Sequence, residues 1–260
     1  MKYFCISDVH SFYQKTIEAL NKAGYDRNNI EHTLVLCGDA FDRGEDSVGM
    51  FNFLKSLPQD RFIYVRGNHE DLLKQAVDEI VRTGEFSYHH YTNGTINTIY
   101  DFTKIGIYDL PFMRNDVEKK MKPILDWLDT KCVDYFETGH YVFVHGWLPC
   151  KRSDPNMYHS LKVKFTLDEN WRDGDWESAR WYNGMDAWNQ GAHPKDKTVI
   201  CGHWHCSWGW SNIDQKRKEF PPKNHIDWEK SFEPYVKEGI FAIDACTAYS
   251  GIVNVLVLED

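Results

Sequence analysis

Short apolar runs end, one after another, in residues able to hold a metal ion, and this order constrains the fold more than any other feature of the chain. "KYFCIS" (2–7) leads into Asp8-Val9-His10, "TLVLCG" (33–38) into Asp39, and "RFIYVRG" (61–67) into Asn68-His69. "YVFVHG" (141–146) carries His145, and "TVICG" (198–202) leads into His203-Trp204-His205. The runs have strand length and composition, and the patterns at 13–24 and 46–57 that separate the first three have helical spacing. They read as consecutive βαβ units, and the step from His10 to Asp39 and from Asp39 to Asn68 is each about one such unit of roughly 30 residues. The carboxyl ends of neighbouring parallel strands converge at one sheet edge, so these polar residues are expected to meet there.

The rest of the chain is less regular. A third helical pattern covers 70–84, with acidic residues in its first turn and Gly84 as a C-cap. Residues 85–116, rich in Tyr, Asn and Thr, resist assignment and read as a variable insertion. A helix over 117–130 is expected to break or kink near Pro123. Residues 132–138 and 141–146 read as strands joined by a hairpin turn at Gly139-His140. "GIFAID" and "IVNVLVLE" read as further strands, and the polar, Pro-containing stretch 206–238 as a surface excursion. With 260 residues and no repeats, one domain over 1–260 is expected. The net charge of -9 argues against a DNA- or RNA-binding role, because phosphate backbones are held by clustered Lys and Arg. Seven cysteines, odd in number and scattered, read as reduced thiols. No apolar stretch approaches the roughly 18 residues that span a bilayer, so a cytoplasmic protein with no membrane partner is expected.

Asp, Asn and His in mixture suit borderline ions such as Mn, Fe, Zn or Co better than the all-oxygen cages of calcium. Their number exceeds what one ion uses, which points to two metals bridged by a carboxylate, and Asp39 is the chosen bridge. Taken singly, each residue has a plainer reading. Asp8 and Asp39 cap helices, His145 is a core histidine, Arg43 and Glu70 form a surface pair, and Cys201, His203, His205 and Cys206 make a zinc knuckle. The knuckle is disfavoured because Cys201 lies inside an apolar run, and the dinuclear reading draws its weight from the combination.

In order, "DVH", "GDAFDRG", "RGNHE", "VHG" and "GHWH" resemble the five blocks of the calcineurin-like metallophosphoesterase superfamily. "GDxxDRG" with "RGNHE" looks like its serine/threonine phosphoprotein phosphatase branch, which includes symmetrical diadenosine tetraphosphate hydrolases. The resemblance implies an α/β/β/α sandwich of two mixed β-sheets flanked by helices, with the site on loops at one edge. It assigns one metal to Asp8, His10, Asp39 and His205, and the other to Asp39, Asn68, His145 and His203, two divalent or trivalent ions per chain with Mn preferred. His69 then corresponds to the proton donor for the leaving group, oriented by Asp42, and Arg43 to a clamp on phosphate oxygens, alongside Asn68. Arg180 is the choice for a second phosphate arginine, with Arg172 and Arg152 as rivals.

Such a site implies direct attack on phosphorus by a metal-activated hydroxide in a phosphomonoesterase acting on phosphoprotein or small phosphoesters. The alternatives are a dinucleoside polyphosphate hydrolase, in which aromatic side chains hold adenine, and a non-catalytic metal or nucleotide sensor. Large aromatics more often pack than bind, so the Trp-rich segments "ENWRDGDWESARWYNGMDAWNQ" and "SWGW" are expected mainly to pack.

Overall fold

The first strand, β1 (Lys2–Ile6), is apolar after Lys2 because both of its faces are covered. Phe4 and Ile6 join a core beneath helices, whereas Tyr3 and Cys5 join a second core layer that also holds Phe143, Ile200 and Ile243. The next strand, β2 (His32–Cys37), repeats the alternation, with Leu34 and Leu36 on the helical side and Val35 and Cys37 in the inner layer. In β6 (Tyr141–Phe143) and β9 (Thr198–Cys201), Phe143 and Ile200 face that same layer from the opposite side. Val142, Val199 and Cys201 point outward into a third cluster with Trp147, Trp171 and Trp176. The period-2 pattern therefore builds two sheets back to back. This computed structural model describes residues 1–154, 163–214 and 230–260.

The first sheet has the order β12 (Leu256–Glu259), β1, β2, β3 (Phe62–Val65), β4 (Cys132–Val133), with only β12 antiparallel to its neighbour. The second has the order β10 (Tyr235–Lys237), β11 (Ile240–Ala242), β9, β6, β5 (Phe136–Glu137), in which β11, β9 and β6 are parallel and the edge strands antiparallel. A ribbon of β7 (Cys150–Arg152) and β8 (Phe165–Leu167) stands apart. The helices α1 (Tyr13–Lys22), α2 (Ser47–Ser56), α3 (Asn68–Thr83) and α6 (Arg114–Lys131) cover the first sheet. The expected sandwich of two mixed sheets flanked by helices is what forms.

Several sequence-based boundaries need correction. Residues 132–138 do not form one strand: β4 ends at Val133 in the first sheet and β5 begins at Phe136 in the second, so the chain changes sheets there. The hairpin between β5 and β6 is present, closed by the Thr138 amide on Tyr141 O at 2.9 Å. Pro123 does not interrupt α6. Val117, Met121, Ile124 and Leu128 hold both halves of that helix against the core, and the exposed side of Pro123 leaves the unpaired carbonyl to water. In "IVNVLVLE" only Leu256–Glu259 is strand. The stretch 206–238 is no surface excursion where it is described, since Cys206, Phe232 and Tyr235 are fully buried; residues 215–229 of it lie outside the described residues.

The insertion 85–116 forms α4 (Tyr88–Thr92) and α5 (Thr95–Thr103) before α6. Gly84 ends α3 as expected, with φ +79 and its amide on Ile80 O at 2.8 Å. Among the described residues no helix is long and apolar enough to cross a membrane.

Ile200 is fully buried between the sheets. Ile200→Ala is expected to cost about 2–5 kcal/mol, read as a lower urea midpoint at unchanged m-value. A loss within experimental error would contradict the two-sheet core.

Candidate metal centre

The parallel strands β1, β2 and β3 end together in one sheet, and β6 and β9 end together in the other, so both sheets deliver polar residues to one edge. Asp8 and His10 follow β1, Asp39 follows β2, Asn68 and His69 open α3, His145 follows β6, and His203 follows β9. The turns are tight: Asp8, His10, Asp39, Asp42, Arg43 and His203 all have positive φ, between 45 and 71°. Left-handed conformation in non-glycine residues is costly and persists where surrounding structure enforces it. Gly202 is required for the approach of the two sheets, because a Cβ there would collide with the Ser7 hydroxyl and the Asp8 carboxylate.

Asp39 stands at the centre. Its carboxylate belongs to two sets of donors, one with His10 and His69 and one with His145 and His203, whose atoms lie within 4.8 Å of one another in each set. The hydrogen bonds decide which imidazole nitrogens face inward. His145 Nδ1 lies 2.8 Å from Cys37 O and His10 Nδ1 2.8 Å from Phe41 O. A carbonyl only accepts, so each Nδ1 carries the proton and each Nε2 presents a lone pair. His145 Nε2 then faces Asp39 Oδ1 at 3.3 Å and Asn68 Oδ1 at 2.8 Å, and His10 Nε2 faces Asp39 Oδ2 at 3.8 Å. Burial pushes His145 down to about 3 and holds His10 and His203 well below the usual histidine range. Burial likewise raises Asp8, with Asp244 adding to the effect, and Asp39, with Asp8 and Glu70 adding to it. Acceptor lone pairs converging in a buried space are a donor set for divalent cations, and the residues present fit that role.

The other expected ligands are placed less directly. Asp8 Oδ2 accepts from the His203 amide at 2.9 Å and from the Ser7 hydroxyl, so it ties the two sheets together and does not cap α1, which starts without a side-chain cap. His205 lies outside both donor sets and its Nδ1 meets the Ser207 hydroxyl. The zinc knuckle does not form among the described residues: Cys201 is in the core, and the buried Cys206 thiol donates to Ala242 O at 3.1 Å.

Beside Asp39, His69 Nδ1 meets Asp42 Oδ2 at 2.7 Å, which turns Nε2 toward Asp39 at 3.9 Å. Thr95 and Thr98, from α5, donate to the two oxygens of Asp42 at 2.8 and 2.7 Å. Burial nevertheless raises Asp42 to about 6. Arg43 donates through Nη1 to His10 Nε2 at 3.1 Å and through Nη2 to His69 Nε2 at 3.0 Å. Arg180 is not in this group. Its guanidinium is held by Asp71 at 2.7 Å and by Asp134. Of its rivals, Arg172 pairs with Glu137 and Arg152 stacks on Tyr182. Arg180 therefore has two carboxylate partners in this arrangement while its buried Nε has none among the described residues, and its charge acts on His145.

Two contributions went unread in the sequence. Glu70 is no surface partner of Arg43: it is buried and accepts from the amides of Asp39 (3.0 Å), Ala40 (3.0 Å) and Gly67 (2.8 Å) and from the Tyr64 hydroxyl (2.7 Å). It stood in the block "RGNHE" and was recognisable there as part of the motif. Thr95 and Thr98 were hidden in the unassigned insertion, where only their helical i, i+3 spacing marked them.

The profile of the calcineurin-like phosphoesterase family matches residues 1–234, and the chain belongs to that family. An asymmetrical bis(5′-nucleosyl)-tetraphosphatase of Bacillus velezensis is 37% identical over 76 residues, 26% of this chain and 30% of the relative. A symmetrical bis(5′-nucleosyl)-tetraphosphatase of Proteus mirabilis is 39% identical over 70 residues, 27% of this chain and 24% of the relative. The match thus spans less than a third of either relative. The crystal structure of a cold-active protein-tyrosine phosphatase from a psychrophilic Shewanella species covers 100% of this chain and 75% of its own, with TM-score 0.51 and 14% identity, a likeness of fold.

Glu70→Gln removes the charge that binds three amides at once and is expected to lower stability by about 1–3 kcal/mol, measured by urea unfolding in the presence of EDTA. Unchanged stability would mean that Glu70 does not hold the Asp39 turn.

Proposed function

We propose that this calcineurin-like phosphoesterase is a metal-dependent hydrolase of phosphomonoesters, on phosphoserine or phosphothreonine in proteins or on small phosphate esters. The observation that carries the reading is the sharing of Asp39 between two donor sets, with the Asp42-oriented His69 and Arg43 directly beside it. Two divalent ions bound there, with Mn our first choice and Fe, Zn or Co the alternatives, would make a water nucleophilic near neutral pH and neutralise phosphate charge. We assign Asp8, His10, Asp39 and His205 to one ion and Asp39, Asn68, His145 and His203 to the other; His205 would have to turn from Ser207, and Arg43 from His10 Nε2, for the first ion to bind.

The chain's own residues account for the remaining needs of in-line displacement. Arg43 offers a planar fork for two phosphate oxygens, which a lysine does not. Asn68 adds a polar contact from the first turn of α3. His69, with Nδ1 fixed on Asp42, presents Nε2 on the same side as Arg43; as the imidazolium, protonated on both nitrogens once Arg43 Nη2 has turned from Nε2 to phosphate, it delivers the Nε2 proton to the departing oxygen. Thr95 and Thr98 occupy other lone pairs of Asp42 and so leave it one direction in which to hold the imidazole. A pure sensor has no use for this proton-donor assembly. Hydrolysis of dinucleoside polyphosphates is the second reading, favoured by the activity in the names of both curated relatives. The seven cysteines, none of them in a disulfide, suit a reducing cytoplasm.

With Mn supplied, the protein is expected to hydrolyse p-nitrophenyl phosphate and to lose that activity in EDTA. His69→Asn should retain bound metal and lose about 100-fold or more in kcat on alkyl phosphates, with a much smaller loss on the good leaving group of p-nitrophenyl phosphate. Thr98→Val should move in the same direction by a smaller factor. Loss of metal from His69→Asn, or equal losses on both substrates, would remove His69 from the proton-donor role. Rates on phosphopeptides and on diadenosine tetraphosphate, compared side by side, choose between the two substrate readings.

A further inference from the structure

The insertion does more than hold Asp42. Gly94, between α4 and α5 with φ +83, lies so near Arg43 that a Cβ there would stand 2.6 Å from its amide nitrogen. From this seat Asn93 Oδ1 accepts from Arg43 Nη2 at 3.3 Å, and Asn93 Nδ2 donates to His89 O at 3.0 Å. The His89 ring faces Trp181 at a centroid distance of 6.5 Å and a tilt of 38°, and Trp181 stands edge-on to His203 at 5.9 Å. A continuous wall therefore runs from Arg43 to His203, exposed at His89 and half-buried at Asn93 and Trp181. Core packing does not account for it. Trp181 is the one tryptophan among the described residues that joins none of the core clusters.

The wall has a direction relative to the chemistry. Arg43 Nη2, which meets Asn93, is also the atom 3.0 Å from His69 Nε2. An ester oxygen placed to take a proton from His69 thus lies on the Asn93 side of Arg43, and what it carries departs past His89 and Trp181. Two neighbouring rings, His89 and Trp181, with an amide beside His89 offer stacking together with hydrogen bonding, the chemistry that recognises a planar heteroaromatic ring.

We propose that His89, Asn93 and Trp181 form a leaving-group subsite that takes a planar heteroaromatic ring carried on the phosphate ester. The proposal rests on the phosphoester reading for the direction in which the leaving group departs. Isothermal titration with AMP and with ribose 5-phosphate, which differ in the base, tests it, run on metal-loaded protein carrying His69→Asn so that neither ester is consumed. AMP is expected to bind about tenfold tighter, the order of one base–aromatic stack. Trp181→Ala should bring the ratio to within about twofold, and Trp181→Phe should keep most of the preference. Equal affinities with Trp181 unaltered, or a preference that survives Trp181→Ala, would overturn the subsite. A protein that prefers AMP but fails to turn over p-nitrophenyl phosphate would instead contradict the phosphoester reading and leave the ring-binding wall standing.

Discussion

A buried carboxylate, Asp39, sets the terms for the rest of the molecule. Left alone in a dry interior, an ionised carboxylate is strongly disfavoured, and burial with nearby Asp8 and Glu70 pushes this one above its ordinary range. The fold answers with imidazoles of which two, His145 and His10, turn their protons outward onto Cys37 O and Phe41 O, so that their lone pairs and the Asp39 oxygens share one space. A divalent cation bound there would offset that cost, and the donor sets come from both sheets, because His145 and His203 belong to one and His10 and Asp39 to the other.

From that constraint the supporting parts follow. The strand ends turn through left-handed residues to aim side chains at a common point, and Gly202 removes the Cβ that would keep the sheets apart. Glu70 gathers the amides of the Asp39 turn and of Gly67, which fixes the β2 and β3 ends against the start of α3. The insertion is recruited too: α5 orients Asp42, and Asn93 reaches Arg43. The site is thus held largely by hydrogen bonds between its carboxylates and backbone amides or hydroxyl groups, which preorganise it.

The centre was legible because metal chemistry draws on few residue types and because period-2 burial announces strands whose ends must converge. Asp8, His10, Asp39, Asn68, His69, His145 and His203 all lie where the strand-end pattern put them. Illegible parts have physical reasons. The insertion buries His90, Thr95 and Thr98 together with Ile96 and Ile99, so its short helices lack a clean apolar stripe. The switch of sheets at Asp134 and Tyr135 leaves no local mark, and the exposed Pro123 is tolerated because its neighbours hold the helix from the core side. The carboxylate partners of Arg180, Asp71 and Asp134, are remote in sequence and so left no local pattern.

The claim that a single carboxylate joins two cation sites is tested most directly by metal stoichiometry. Protein saturated with Mn and then freed of excess should carry about two ions per chain by elemental analysis, and Asp39→Asn should carry fewer than about one. A single tightly held ion in the wild type, retained in full by Asp39→Asn, would contradict the account.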